Sequence, residues 1–236
     1  FDATAVDFLE ELGTPCYKIA SFENTDLSLI RKVAQTGKPL IVSTGMATVA
    51  ELDELVRTAR QSGCDDITLL KCTSSYPATP VGSNILTIPH MKELFRCTVG
   101  LSDHTLGIGA AVASIALGAT VIEKHFTLAR ADGGVDSAFS MEPEEMALLV
   151  RECRAAWEAL GEISYDVQPQ EEKSLAFRRS LYIVEDMKAG DVITAENMRA
   201  IRPGYGLSPR YYDVLLGRRV GCNVRRGTPL SWELLG

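Results

Sequence analysis

Side chains able to bind and polarise a small anion recur just beyond short apolar runs in the first half of the chain. They read Lys18-Ile-Ala-Ser21-Phe-Glu23, Ser43-Thr44-Gly45, Lys71-Cys72-Thr73-Ser74-Ser75-Tyr76, Ser102-Asp103-His104 and Glu123-Lys124-His125. His104 and His125 are two of three histidines. If they end adjacent strands, their imidazoles can share a divalent metal, with carboxylate or water completing the shell. A lone histidine is more often a hydrogen-bonded packing residue, but equivalent placement on successive strands favours the metal. His90, in a Pro-His-Met-Lys helical stretch, has no such partner and reads as a surface residue.

Lys18 interrupts an apolar stretch, where a buried charge needs an anion or a carboxylate. With Ser21, Ser43 and Ser102 it would form a clamp for phosphate or carboxylate; the alternative is a lysine pointing into solvent. A desolvated Lys18 or Lys71 could instead form a Schiff base with a carbonyl substrate, as an aldolase does. Asp136 follows a glycine-rich stretch, Asp132-Gly-Gly-Val, that is either a loop folding over a ligand or a solvated turn. The cysteines show no His–Asn constellation that would make one a nucleophile.

The elements that must carry these groups follow from periodicity. β-Branched runs at 16–20, 39–43, 67–72, 98–101 and 120–124 alternate with amphipathic helical patterns at 27–36, 49–62, 110–117 and 143–160, and a helical pattern at 3–12 precedes the first strand. This is parallel β/α winding, in which ligands meet the carboxyl ends of the strands. Periodicity does not separate an open doubly wound sheet from part of an eight-stranded barrel. The G-x-G-x-x-G dinucleotide fingerprint is absent, Gly107-Ile-Gly109 lacking its third glycine, and this favours the barrel.

The chain has 236 residues, 46% of them hydrophobic and 23% charged, with a net charge of −7, so no global positive field favours nucleic acid. Apolar runs are too short for a bilayer helix. Six cysteines without a C-x-x-C pair read as reduced thiols of a cytoplasmic protein. A polar stretch at 161–176 reads as a linker between a domain at 1–160 and a small one at 177–236. The small domain carries an internal repeat at an offset of 37 residues, Met187-Lys-Ala-Gly-Asp-Val-Ile-Thr194 against Val224-Arg-Arg-Gly-Thr-Pro-Leu-Ser231. The repeat predicts two half-modules about a pseudo-twofold, each with a turn glycine and a Ser/Thr placed to cap a short helix. The domain is also the basic one, with ten Lys/Arg against six Asp/Glu.

Taken together, the strand-end motifs, extended to Ile41-Val-Ser-Thr-Gly-Met46, Leu70-Lys-Cys-Thr-Ser-Ser-Tyr-Pro77, Gly100-Leu-Ser-Asp-His-Thr105 and Glu123-Lys-His-Phe-Thr127, resemble the sialic acid synthase family. Arg178-Arg-Ser-Leu-Tyr182, Arg202-Pro-Gly204 and Leu216-Gly-Arg-Arg219 resemble its antifreeze-like (SAF) domain. Within the family, K-I-A-S-F-E and L-L-K-C-T-S-S-Y-P-A look more like the pseudaminic acid synthase branch than the N-acetylneuraminate or legionaminic acid branches.

The resemblance implies an α/β fold with a partial (β/α)8 TIM barrel, five of eight βα units, followed by a SAF β-clip domain. Phe1-Asp2 resembles the tail of a T-P-F-[DS] segment after the family's third strand. The implied copy is therefore amino-terminally incomplete, without an upstream glutamate and lysine of the site, and by itself is expected to be inactive or a carbohydrate-binding fragment. The implied reaction condenses phosphoenolpyruvate with an acetamido-sugar aldehyde, 2,4-diacetamido-2,4,6-trideoxy-L-altrose. By the same resemblance His104 and His125 hold Mn²⁺ or Mg²⁺, and Lys18, Ser21, Ser43, Ser74 and Ser102 bind phosphoenolpyruvate. Glu23, Tyr76 and Asp136 contact the sugar, as does Arg202, offered by the SAF domain of a second copy in a domain-exchanged homodimer.

Overall fold

The computed structural model describes residues 2–236, so the Phe1 half of the Phe1-Asp2 resemblance lies outside the described residues. The chain divides into two compact units after Glu162. The first opens with α1 (Ala3–Glu11), whose N-cap Asp2 accepts from the Thr4 and Ala5 amides. There follow β1 (Tyr17–Ile19), α2 (Leu27–Ala34), β2 (Leu40–Ser43), α3 (Val49–Gln61), β3 (Ile67–Cys72), α4 (Thr87–Phe95), β4 (Thr98–Asp103), α5 (Gly109–Ala116), β5 (Val121–Lys124) and α6 (Pro143–Leu160). The five strands lie parallel in sequence order, as the alternating pattern predicts.

Helix α4 is the element the periodicity reading lacks. Pro89 stands in its first turn, where the amides have no intrahelical partner and a missing N–H costs little, so a residue that reads as a breaker is tolerated. The helix closes on Arg96 in the left-handed region (φ 51°), and Arg60 Nη2 donates to the Phe95 carbonyl at 2.8 Å. β4 runs to Asp103, two residues beyond the expected 98–101, because its ladder to β5 continues through Asp103↔Lys124.

Side chains alternate across the sheet. Tyr17, Ile19, Val42, Leu69 and Val99 belong to the core with Ile30, Leu55 and Ile88 of the helices. Gly100 is required where β4 meets β5, since a Cβ there would lie 2.2 Å from the Val121 carbonyl oxygen. The opposite face curls. Lys18 of β1 and Glu123 of β5 stand on the two outermost strands, about 19 Å apart in a flat sheet with strands about 4.8 Å apart. Lys18 Nζ nevertheless lies 3.4 Å from Glu123 Oε2. The sheet is thus an arc of a (β/α)8 barrel, with one row of strand ends converging on its concave side.

In the second unit, residues 163–236, β6 (Ser180–Ile183) pairs antiparallel with β7 (Met198–Ile201), and a short helix α7 (Tyr212–Leu215) follows. The repeat becomes a pseudo-twofold. Met187 and Val224, equivalent in the two copies, pair with each other through reciprocal 2.8 Å amide bonds, so the local axis passes between them. Bonds elsewhere come in matched pairs 37 residues apart. Gly190 N donates to Val220 O at 2.7 Å and Gly227 N to Ile183 O at 2.8 Å; Ile193 N donates to Arg218 O and Leu230 N to Leu181 O. Ala189 N donates to Asn223 Oδ1 and Arg226 N to Asp186 Oδ1. Leu181, Ile183, Ile193, Val220 and Leu230 form the shared core. The expected helix caps are corrected in both copies: a turn, not a helix, follows Thr194, whose Oγ1 accepts from Glu196 N, and Ser231 makes no side-chain cap to the 3-10 turn that follows it.

Candidate active site

Glu123 is the hub of the concave face. Its Oε1 accepts from Ser102 Oγ at 2.7 Å and from Ser43 Oγ at 3.5 Å, and Lys18 Nζ, 3.4 Å from Oε2, also donates to Ser43 Oγ at 2.8 Å. Lys18 keeps 31% of its side chain exposed, so it faces an open concavity while being held by a carboxylate. Sequence reading placed Lys18, Ser43 and Ser102 together but left out Glu123, whose partners on β1 and β2 come near only through the curl.

Beside it, hydroxyls gather on the end of β3. Ser21 Oγ donates to Cys72 Sγ at 3.4 Å and accepts from Gly45 N at 3.1 Å, and Ser74 Oγ lies 3.9 Å from the same sulfur. Asn24, buried, donates to the carbonyls of Ser43 and Gly45 and fixes the turn after β2. Gly45 is needed here, because a Cβ would meet Ser74 Oγ at 2.2 Å and Ser21 Oγ at 2.6 Å. Cys72, set aside in the sequence with the other thiols, therefore belongs to this group; its histidine lies on the next strand, invisible to local spacing. Burial opposes its thiolate, but bonds from His104, Ser21 and Ser102 outweigh that and bring its pKa down to about 7.

The rings of His104 and His125 stand 5.2 Å apart in a T-shaped arrangement. His104 Nδ1 lies 3.0 Å from the Thr73 carbonyl, which can only accept, so Nδ1 carries the proton and Nε2 presents a lone pair. Burial works against its imidazolium, yet Cys72, Thr73 and Asp103 together hold its pKa above the ordinary value. Burial, then the charge of His104, push His125 the other way and favour the neutral ring that a metal takes. His125 Nδ1 lies 3.5 Å from Asp136 Oδ2. Tyr76 packs on His104 at 4.4 Å, and Phe139, which sequence reading did not single out, on His125 at 5.1 Å. Two neutral imidazoles are of the donor type a divalent ion takes; among the described residues no three or more His, Cys, Asp or Glu side chains are grouped so as to hold a metal ion.

The remaining predicted residues fall at the edges. Glu23 is half-buried, with its Oε2 buried and without a hydrogen-bond partner. Lys71 donates to the Cys72 carbonyl from the face opposite to Cys72 and does not join the cluster. His90 is exposed, and so is Arg202, which belongs to the second unit. No helix among the described residues is long and apolar enough to cross a membrane.

Comparison with known proteins agrees with this arrangement. The NeuB family model matches residues 1–165 and the SAF domain model residues 178–236. The pseudaminic acid synthase of Helicobacter pylori is 41% identical over 232 residues, 98% of this chain and 68% of that protein. The N,N'-diacetyllegionaminic acid synthase of Campylobacter jejuni is 38% identical, over 95% of this chain and 68% of its own length. Among solved structures, the spore coat polysaccharide biosynthesis protein spsE of Bacillus subtilis superposes with a TM-score of 0.66 at 29% identity, covering 100% of this chain and 72% of that one. The chain spans about two thirds of the length of the curated relatives it matches. The resemblance read from the strand ends is borne out: the chain belongs to the NeuB family, and a SAF domain follows its barrel arc.

Proposed function

We propose that the concave face condenses phosphoenolpyruvate with an acetamido-sugar aldehyde, and that the sugar is 2,4-diacetamido-2,4,6-trideoxy-L-altrose, giving pseudaminic acid and phosphate. The carrying observation is Lys18 meeting Ser43, Ser102 and Glu123 beside a histidine pair. A C–C bond forms between carbon 3 of phosphoenolpyruvate and the aldehyde carbon, water adds at carbon 2, and phosphate leaves with its oxygen as the 2-keto group forms.

Lys18, Ser21, Ser43, Ser74 and Ser102 supply a cation and hydroxyl donors to phosphate and carboxylate; Glu123 holds Lys18 and Ser102 in register before the anion arrives. His104 and His125 would hold Mn²⁺ or Mg²⁺, which when bound supplies a Lewis acid for the aldehyde oxygen. Glu23, Tyr76 and Asp136 would contact the sugar. Arg202 would enter the site from the SAF domain of a second copy, whose excess of basic residues suits a dianionic substrate. A lysine-dependent aldolase is disfavoured because Lys18 is paired with a carboxylate and Lys71 faces away.

Saturation-transfer NMR with phosphoenolpyruvate and diamagnetic Mg²⁺ present tests the reading. The altrose aldehyde should bind more tightly than N-acetylmannosamine, and Tyr76→Ala should weaken it. Equal binding of both sugars would overturn the substrate assignment. Covalent trapping of either sugar on a lysine by borohydride would replace the condensation with the aldolase.

A further inference from the structure

The geometry points to Asp103 and Lys124 as positioning residues that set the spacing of His104 and His125 from the far side of the sheet. The tripeptides Ser102-Asp103-His104 and Glu123-Lys124-His125 lie side by side, with Ser102↔Glu123 and Asp103↔Lys124 as register partners. Side chains alternate, so successive rungs face opposite ways. The Ser102–Glu123 rung, 2.7 Å, closes on the site face, while the Asp103–Lys124 rung, 2.8 Å, closes on the face away from it; the histidines follow.

This second rung is the most deeply buried ion pair among the described residues, with 4% of the Lys124 side chain and 2% of the Asp103 side chain exposed. It touches no residue of the proposed anion clamp. Its remaining bonds converge on one residue, Thr105, just past His104. Thr105 N donates to Asp103 Oδ1 at 2.9 Å, and Lys124 Nζ donates to the Thr105 carbonyl at 2.5 Å. His104 is therefore bracketed: its own carbonyl accepts from Ala78 N, its Nδ1 faces Thr73, and the residue after it is gripped by both members of the pair.

Since a one-residue slip would turn every side chain of a strand to the other face, a charged pair that fits only one register fixes which residues of β4 and β5 stand together. The pair ties the turn after one histidine to the residue preceding the other. It acts through the histidines and touches no substrate. The inference rests on the proposed function only in taking the histidines to be metal ligands; the ring spacing itself does not depend on that reading.

The experiment uses the whole chain and two readouts. One is the nuclear Overhauser contact between the His104 and His125 rings in metal-free protein. The other is Mn²⁺ affinity by calorimetry. The variants are Lys124→Met, the double replacement Asp103→Leu/Lys124→Met, which removes both charges and so avoids stranding one in the interior, and Leu69→Ala as a core control that loosens the same sheet without touching the pair. Wild type and Leu69→Ala should keep the ring contact. Lys124→Met and the double variant should lose it and bind Mn²⁺ at least about tenfold more weakly, the scale of lost support behind a metal ligand. Should Lys124→Met fail to fold, the double variant decides. A folded variant of either kind that keeps both the ring contact and wild-type Mn²⁺ affinity would overturn the positioning role. If wild type binds no Mn²⁺ while the ring contacts respond as stated, the metal reading falls and the positioning stands.

Discussion

The two units use burial differently. Of the buried polar and charged side chains among the described residues, Ser180 alone belongs to the second unit; the others, including Ser21, Asn24, Ser43, Ser102, Asp103 and His104, belong to the first. The barrel arc carries polar groups inward and satisfies them with one another and with backbone groups, which is costly unless their geometry is put to use. The SAF unit satisfies its backbone through twofold-matched amide bonds and leaves its charge on the surface. The proposed site chemistry thus lies where polarity is buried.

The largest expected effect tests the symmetry. Ile193 and Leu230 are repeat equivalents, both fully buried. Ile193→Ala and Leu230→Ala should each cost about 2–5 kcal/mol, as truncations in a packed core do, and should agree within about 1 kcal/mol. Chemical denaturation would check this, and a large inequality would break the twofold account. In the arc, Gly45→Ala should push Ser21 and Ser74 aside, weakening phosphoenolpyruvate binding about tenfold, the scale of one lost hydrogen bond to a charged group. Calorimetry reads the loss, and the SAF unit should melt unchanged.

Asp186→Ala and Asn223→Ala remove the matched side-chain bonds to Arg226 N and Ala189 N. Each should cost about 1 kcal/mol, and equally. The last effect is alkaline. Burial, then the hydrogen bond to Glu10, push the Tyr17 phenol up to about 12. Its folded pKa exceeds the unfolded value near about 10, so the stability it contributes is fully present below about pH 10 and is lost as pH rises through about 12. Tyr17→Phe should flatten that part of the stability profile of the first unit.

Much of this was legible because the informative residues are local. Strand periodicity and the polar residues that end each run announce parallel β/α winding and its working edge, and the 37-residue repeat announces a twofold. What was hidden depends on long-range closure. Glu123 reads as one of three polar residues ending β5, and becomes the hub only because the curl brings β1 to β5. Cys72 gains its histidine from the neighbouring strand. Of helix α4 only the Pro-His-Met-Lys stretch read as helical, its extent being masked by Pro89, which a first turn accommodates. The axis between Met187 and Val224 follows from equivalent residues pairing with each other, which a repeat permits without requiring.

The central claim is that Lys18, held by Ser43 and Glu123, anchors an anion at these strand ends. Calorimetric titration of phosphoenolpyruvate into the chain in the presence of Mn²⁺ tests it most directly. Wild type should bind one equivalent, and Lys18→Met, with circular dichroism unchanged, should bind about a hundredfold more weakly, as expected for losing charge-assisted hydrogen bonds. Absence of binding to wild type, or undiminished binding to Lys18→Met, would contradict the account.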